Sequence, residues 1–157
     1  TSSVGRHEEV TAMQVSDILR HKGTDVTTVR PETTIENAVG VLGTRRIGAL
    51  VVSDDGRTVD GVVSERDVVA HLAAVGRTGL DSTVATVMTR DVRTCTPGDA
   101  LEDVMAIMTA GRFRHLPVVA DGELAGIVSI GDAVERRVSE LETESARMHD
   151  YIQTGRT

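Results

Sequence analysis

Hydrophobic positions along this chain follow two rhythms, helical and extended, and the order in which the rhythms alternate is written twice. Val15, Ile18 and Leu19 share one face of a helix that Gly23 interrupts. Val26-Thr27-Thr28-Val29 is β-branched and predicts a strand, closed by Arg30-Pro31 because the residue before a proline is driven to extended backbone. Ile35, Ala38, Val39 and Leu42 return to helical spacing. The run Ala49 to Val52 predicts a buried strand, Asp54-Asp55-Gly56 a hairpin-like turn, and Val59 to Val63 another strand. A helix then opens at Ser64 and carries Val68, Val69 and Leu72.

A polar, glycine-containing connection from Gly76 to Ser82 leads into the same order again. Val84, Val87 and Met88 mark a helix, Val92 to Thr96 a strand ending at Pro97, and Leu101, Val104, Met105 and Met108 a helix. Leu116 to Val119 predicts a strand, Asp121-Gly122 a turn, Leu124 to Val128 a strand, and Ser129 opens the last helix. Landmarks keep their spacing: Pro31 and Pro97 lie 66 residues apart (97 − 31), and Gly61 and Gly126 lie 65 apart (126 − 61). A period this long does not fit a solenoid, and an α+β unit this small buries too little surface alone. The expected fold class is α+β: two β-α-β-β-α repeats packed sheet to sheet around a pseudo-twofold axis, helices outside, with two equivalent clefts lined by both repeats. The expected layout is an extension at 1–14 with Met13 a candidate native start, a first repeat at 15–80, a second at 81–140 and a helical tail at 141–157. In the last helix Val134, Val138, Leu141, Ser145, Met148 and Ile152 repeat with heptad-like steps, over a length of about 30 Å.

Composition narrows what such a module can do. Phe113 and Tyr151 are the only aromatic residues, so the core must be aliphatic and stacking platforms for nucleic-acid bases are missing. A net charge of −7 opposes binding to a polyanion. A single cysteine, Cys95, excludes an internal disulfide framework and a thiolate zinc cluster. The five histidines never fall at metal-ligand spacing, and no phosphate-binding glycine loop, nucleophile elbow or paired catalytic acids are present. Without a membrane-length apolar run or a signal-peptide pattern, a soluble cytoplasmic protein without catalytic or metal residues is expected.

The candidate chemistry lies at the repeated helix starts, Gly61-Val62-Val63-Ser64-Glu65-Arg66-Asp67 and Gly126-Ile127-Val128-Ser129-Ile130-Gly131-Asp132. Serine at the N-cap with an acid three residues on completes a capping box. The same place presents bare N–H groups and a positive dipole end to an anion. Two readings stand: a plain helix start, or half of a phosphate-ester site. Arg45-Arg46 and Arg112-Phe113-Arg114-His115 occupy corresponding loops in an otherwise acidic chain, and guanidinium offers phosphate a planar fork.

Taken together, the strand-Pro-helix order, the basic loop, Arg114-His115-Leu116-Pro117-Val118-Val119 and the Gly-x-x-Ser-x-x-Asp that follows resemble the cystathionine β-synthase (CBS) domain, here in tandem as a Bateman module over residues 15–140. The resemblance implies adenosine-nucleotide binding (AMP, ADP, ATP, NAD or S-adenosylmethionine) in the clefts between repeats, with no cofactor otherwise required. Asp67 and Asp132 would then accept ribose hydroxyls, a carboxylate matching a cis-diol. Ser64, Ser129, Arg66, Arg114, His115 and Arg46 would face phosphate. Thr28, Val29 and Ile47 would line the adenine pocket of Asp132, and Thr94, Cys95 and Phe113 that of Asp67, although for each apolar one core packing as the sole role is the favoured reading. Gly48-Ala49 replace Arg114-His115 in the first repeat and Gly131 replaces Arg66 in the second, so the clefts are chemically unequal. Such modules dimerise and regulate an attached or partner protein, so a homodimer with an unidentified regulated partner is expected, with no nucleic acid polymer or membrane. A structural dimerisation module whose capping boxes bind nothing is the alternative. Apolar stripes at Ile35, Val39 and Leu42 and at Leu101, Met105 and Met108 would leave edges for a second copy to cover.

Overall fold

A computed structural model describes residues 13–154, so the proposed extension lies outside the described residues except for Met13 and Gln14. The first repeat runs through α1 (Val15–Lys22), β1 (Thr28–Val29), α2 (Ile35–Arg45), β2 (Ala49–Val52), β3 (Gly61–Ser64) and α3 (Glu65–Val75). The connection Gly76–Asp81 is a 3-10 turn rather than an open loop, anchored by Leu80 against the core of the first sheet. The second repeat follows as α4 (Val84–Val87), α5 (Leu101–Gly111), β4 (His115–Ala120), β5 (Glu123–Ser129) and α6 (Ile130–Thr154). The fold is α+β, two repeats about a pseudo-twofold axis with a long C-terminal helix; α6 runs unbroken for 25 residues, about 37 Å.

Each repeat contributes an antiparallel pair, Ala49–Val52 against Gly61–Ser64 and His115–Ala120 against Glu123–Ser129. In the first repeat β1 adds a parallel third strand, with Val51 N–H donating to Thr27 O at 3.3 Å and Ser53 N–H to Val29 O at 2.9 Å. The strand expected at Val92 to Thr96 shrinks to one parallel bridge, Cys95 with Val118. The cause is chemical. Val119 N–H reaches Cys95 O at 2.8 Å as Ser53 reaches Val29, but Pro117 stands where Val51 stands and has no N–H to extend the ladder.

The buried side chains sort into two cores, and each is completed by a helix from the other repeat. Val15, Ile18 and Leu19 of α1 pack with Leu101, Val104, Met108, Leu116, Val118 and Val128 of the second repeat. Val84 of α4, with Val87 and Met88, packs with Ile35, Leu42, Leu50, Val52 and Val63 of the first. Backbone bonds fix the exchange: Val15 N–H to Asp99 O and Leu101 N–H to Met13 O at one end, Ile35 N–H to Ser82 O and Val84 N–H to Thr33 O at the other. Glycine at matching positions lets the exchanged helices in. A Cβ on Gly61 would stand 2.5 Å from Met88 Sδ and 2.9 Å from Thr89 O, and one on Gly126 would stand 2.7 Å from Leu19 Cδ2. The repeat in sequence and the packed unit are therefore different sets of residues.

The stripes expected to leave apolar edges on α2 and α5 do not. Ile35, Leu42, Leu101 and Met108 are each less than 7% exposed, because α1 and α4 already cover those cores, and only Val39 is open. The exposed apolar stripe belongs to α6: Val134, Val138, Leu141, Met148 and Ile152 are 47–61% exposed.

Gly61→Ala tests the exchange, because its methyl meets the Thr89 carbonyl as well as a flexible thioether. Overpacking of this kind costs roughly 1–3 kcal/mol, a fall in melting temperature of about 2–12 °C for a chain this size. An unchanged melting temperature would mean that α4 docks loosely.

Candidate functional site

Two strand-to-helix junctions converge on one cavity of about 520 Å³. At the first, Ser64 caps α3: Asp67 N–H donates to Ser64 Oγ at 3.3 Å, while Ser64 N–H and Oγ–H both donate to Asp67 Oδ2 at 2.9 Å. At the second, Ser129 N–H donates to Asp132 Oδ2 at 2.9 Å and Asp132 N–H to Ser129 Oγ at 3.1 Å. Both capping boxes are complete, and each ties up one carboxylate oxygen. Glu65 N–H donates to Gly48 O at 3.0 Å and Ile130 N–H to Arg114 O at 2.8 Å, so Gly48 and Arg114 are true equivalents.

The cavity gathers Ser64, Arg66 and Asp67 from the first repeat with Phe113, Arg114, His115 and Ser129 from the second. Arg112 and Arg93 line it too. Four arginines thus line one volume together with Glu65 and Asp67, in a chain of net charge −7. Two helix N-termini point their amides at the same place, and the combination favours an anion. Its size lies within the range of small-molecule sites.

His115 lines the cavity with its ring against Gly48, where a Cβ would lie 3.3 Å from both Cε1 and Nε2. Burial pushes its pKa below the ordinary histidine value; the charges of Arg114 and Lys22 add to this, and Asp132 and Glu65 only partly oppose them. Cys95 is 2% exposed, and burial, with the nearby Asp99 charge, pushes its thiol up to about 12, so it is an inert core residue that does not line the cavity.

The other residues expected at a site do not line this cavity. Thr28 and Val29 form β1, with Val29 and Ile47 packed against the core of the first sheet. Thr94 is exposed and does not line this cavity, whereas Thr89, Val92 and Arg93 do. Arg46 is an exposed left-handed helix cap at φ 54°; its equivalent Arg112, at φ 55°, reaches the cavity. Arg93 was legible only as a basic residue in an acidic chain. Asp132 is paired with Lys22, whose Nζ lies 2.7 Å from Oδ2. Burial alone would raise the Asp132 carboxyl, but the Lys22 hydrogen bond, the Ser129 amide and the Lys22 charge together hold it below the usual carboxylate range. Among the described residues no cluster of His, Cys, Asp and Glu is arranged to hold a metal, and no helix is long and apolar enough to cross a membrane.

The family model described as the CBS domain matches the chain twice, over residues 15–74 and 84–139. The chain belongs to the CBS domain family, as a tandem pair. It is 33% identical over 149 residues to "CBS domain-containing protein CBSX3, mitochondrial" of Arabidopsis thaliana, covering 90% of this chain and 72% of that one. It is 33% identical over 123 residues to CBS domain-containing protein YhcV of Bacillus subtilis, covering 78% and 84%. The crystal structure of the CBS-domain containing protein ATU1752 from Agrobacterium tumefaciens superposes with a TM-score of 0.75 at 46% identity, over 79% of this chain and 98% of that one. That of CBSX2 in complex with AMP superposes at 0.66 and 29% identity, over 80% and 96%.

The depressed pKa of His115 has a pH signature. The unfolded chain takes up this proton near 6.5, before the folded chain does, so the stability from neutral His115 is full above that pH and is lost as pH falls through and below it. Thermal unfolding between pH 7.5 and 5 should show the melting temperature dropping on acidification, with a shallower slope in His115→Gln. Parallel curves would remove His115 as the cause.

Proposed function

We propose that this protein is a non-catalytic regulatory module that binds an adenosine nucleotide, of the AMP, ADP, ATP or NAD type, in the cavity between its two CBS domains. The observation that carries the reading is the convergence of four arginines, His115 and two helix N-termini on Asp67, a carboxylate with no cationic partner among the described residues. A ribose engages Asp67, and the phosphate lies between the helix starts, within reach of Arg66, Arg114 and His115. Phe113 supplies an apolar wall for the base. That a relative 29% identical was solved with AMP supports the choice of ligand class.

Calorimetric titration with AMP and with adenosine tests the assignment. Asp67→Ala removes charge-assisted hydrogen bonds worth roughly 1.5–3 kcal/mol, so AMP affinity should fall about 10- to 100-fold. Arg114→Ala should weaken AMP more than adenosine. Wild-type affinity in Asp67→Ala, or equal losses of the two ligands in Arg114→Ala, would refute the respective role.

The proposal extends to a homodimer, favoured by the apolar stripe on α6. Val134, Val138, Leu141, Met148 and Ile152 keep heptad-like spacing on a helix whose other positions are mainly polar, the pattern of a helix-to-helix seam. Placing Asp at both Leu141 and Met148 should shift the protein toward monomer in light scattering at high micromolar concentration. A monomeric wild type overturns the dimer, and an unchanged double variant removes α6 from the contact.

A further inference from the structure

We propose that Lys22 is an internal latch on the second cleft, its ammonium occupying the Asp132 carboxylate where ribose hydroxyls would bind. The inference rests on the nucleotide reading above and concerns how many ligands the chain takes. Lys22 Nζ donates to Asp132 Oδ2 at 2.7 Å and to Ile127 O at 3.0 Å, with the two side chains 30% and 22% exposed. The ammonium thus holds Oδ2 of Asp132 and the strand carbonyl of Ile127 at once, and its bulk and charge stand beside the remaining oxygen, Oδ1.

The other end of the pseudo-twofold shows what the latch replaces. Val62 is the counterpart of Ile127, and its carbonyl is satisfied by the backbone instead: Thr89 N–H donates to Val62 O at 2.9 Å, and Val62 N–H to Thr89 O at 3.1 Å. Among the described residues no side chain other than Ser64 bonds to Asp67. The same carbonyl is thus closed by main chain in one repeat and by a lysine in the other, and only the lysine reaches the aspartate.

Lys22 is also placed so that it stays there. It is the last residue of α1, the helix end that favours a cation. One turn earlier, Leu19 packs over Gly126 in the core of the second repeat, which fixes the helix end over β5 and Asp132. A nucleotide at Asp132 must displace the ammonium. A latch closed ninety-nine times in a hundred weakens that cleft about 100-fold. The chain therefore takes one nucleotide at Asp67 and a second only after Lys22 withdraws.

Equilibrium dialysis with labelled AMP, at concentrations saturating the first site, counts the sites. Wild type should bind one equivalent and Lys22→Met two. Asp67→Ala should bind well below one equivalent, and Asp67→Ala combined with Lys22→Met about one equivalent more than Asp67→Ala alone. Lys22→Gln, which keeps a donor for the Ile127 carbonyl without the charge, should behave as Lys22→Met does and serves if the methionine variant fails to fold. One equivalent in wild type and in both Lys22 variants overturns the latch while the nucleotide reading stands. Two equivalents in wild type, or fewer in the variants than in wild type, also overturn it, the latter because Lys22 would then hold the ligand rather than exclude it. No binding by any form overturns the nucleotide reading and the latch together.

Discussion

At Gly61 the backbone of the first sheet lies so close to Met88 and Thr89 that a single added methyl would collide with them; at Gly126 the second sheet lies equally close to Leu19. These two approaches hold the molecule together, because they seat α4 on the first core and α1 on the second. Neither half can close its own core from its own repeat: Val15, Ile18 and Leu19 are buried only against the second repeat, and Val84 only against the first. A unit of this size is marginal on surface-to-volume grounds, and exchanging a helix makes each half's burial conditional on the other's. The relative placement of the two strand-to-helix junctions follows from it. The cavity is a consequence of the exchange, since the junctions face each other only when both helices are seated.

Electrostatically the cavity departs from the rest of the chain. A surplus of acid elsewhere keeps the surface negative, while Arg66, Arg93, Arg112 and Arg114 concentrate positive charge at two helix N-termini. Four like charges around a partly enclosed volume repel one another, and that repulsion is relieved when an anion enters. His115 belongs to the same balance: burial and the neighbouring cations disfavour its charged form, and a phosphate beside it would reverse the sign of that influence. The affinity for an anion and the discomfort of the empty site have one origin.

The duplication was legible because it rests on patterns that survive in any packing: proline before the helix, alternating apolar strands, a capping serine with its acid. So was the chemical inequality of the two junctions, from Gly48 against Arg114 and Gly131 against Arg66, all four of which line the one cavity. The helix exchange was not, since Val15-Ile18-Leu19 and Val84-Val87-Met88 look alike and periodicity says which face is apolar without saying which core it enters. The missing strand at Cys95 follows from Pro117 lacking a donor, a reason visible in the sequence only once the pairing partner is known. Lys22 sits at the end of a helix with no motif around it, and its partner Asp132 is 110 residues away. Contacts of that kind are set by tertiary geometry and leave no local trace. The short bridge at Cys95 accompanies a thiol buried in the core, while Val92 and Arg93 of the same segment line the cavity, a division that the segment's β-branched pattern does not announce.

A symmetric scaffold with asymmetric side chains has a consequence for regulation. A ligand shifts a conformational equilibrium only by as much as it binds one state better than another. Arg66 and Asp67 ride on the first repeat, Arg114 and His115 on the second, so a molecule that touches both sets is sensitive to the distance between them. That distance is controlled by the seating of α1 and α4. The aspartate of the second repeat is tied through Lys22 to α1 itself, so withdrawing that lysine alters the cleft and one of the two seated helices at once. If nucleotide binds as proposed, a ligand at the freer carboxylate would sense the gap between repeats, and one at the bound carboxylate the helix that fixes the gap. Two copies of one motif would then report on different degrees of freedom of the same joint, which identical copies could not do.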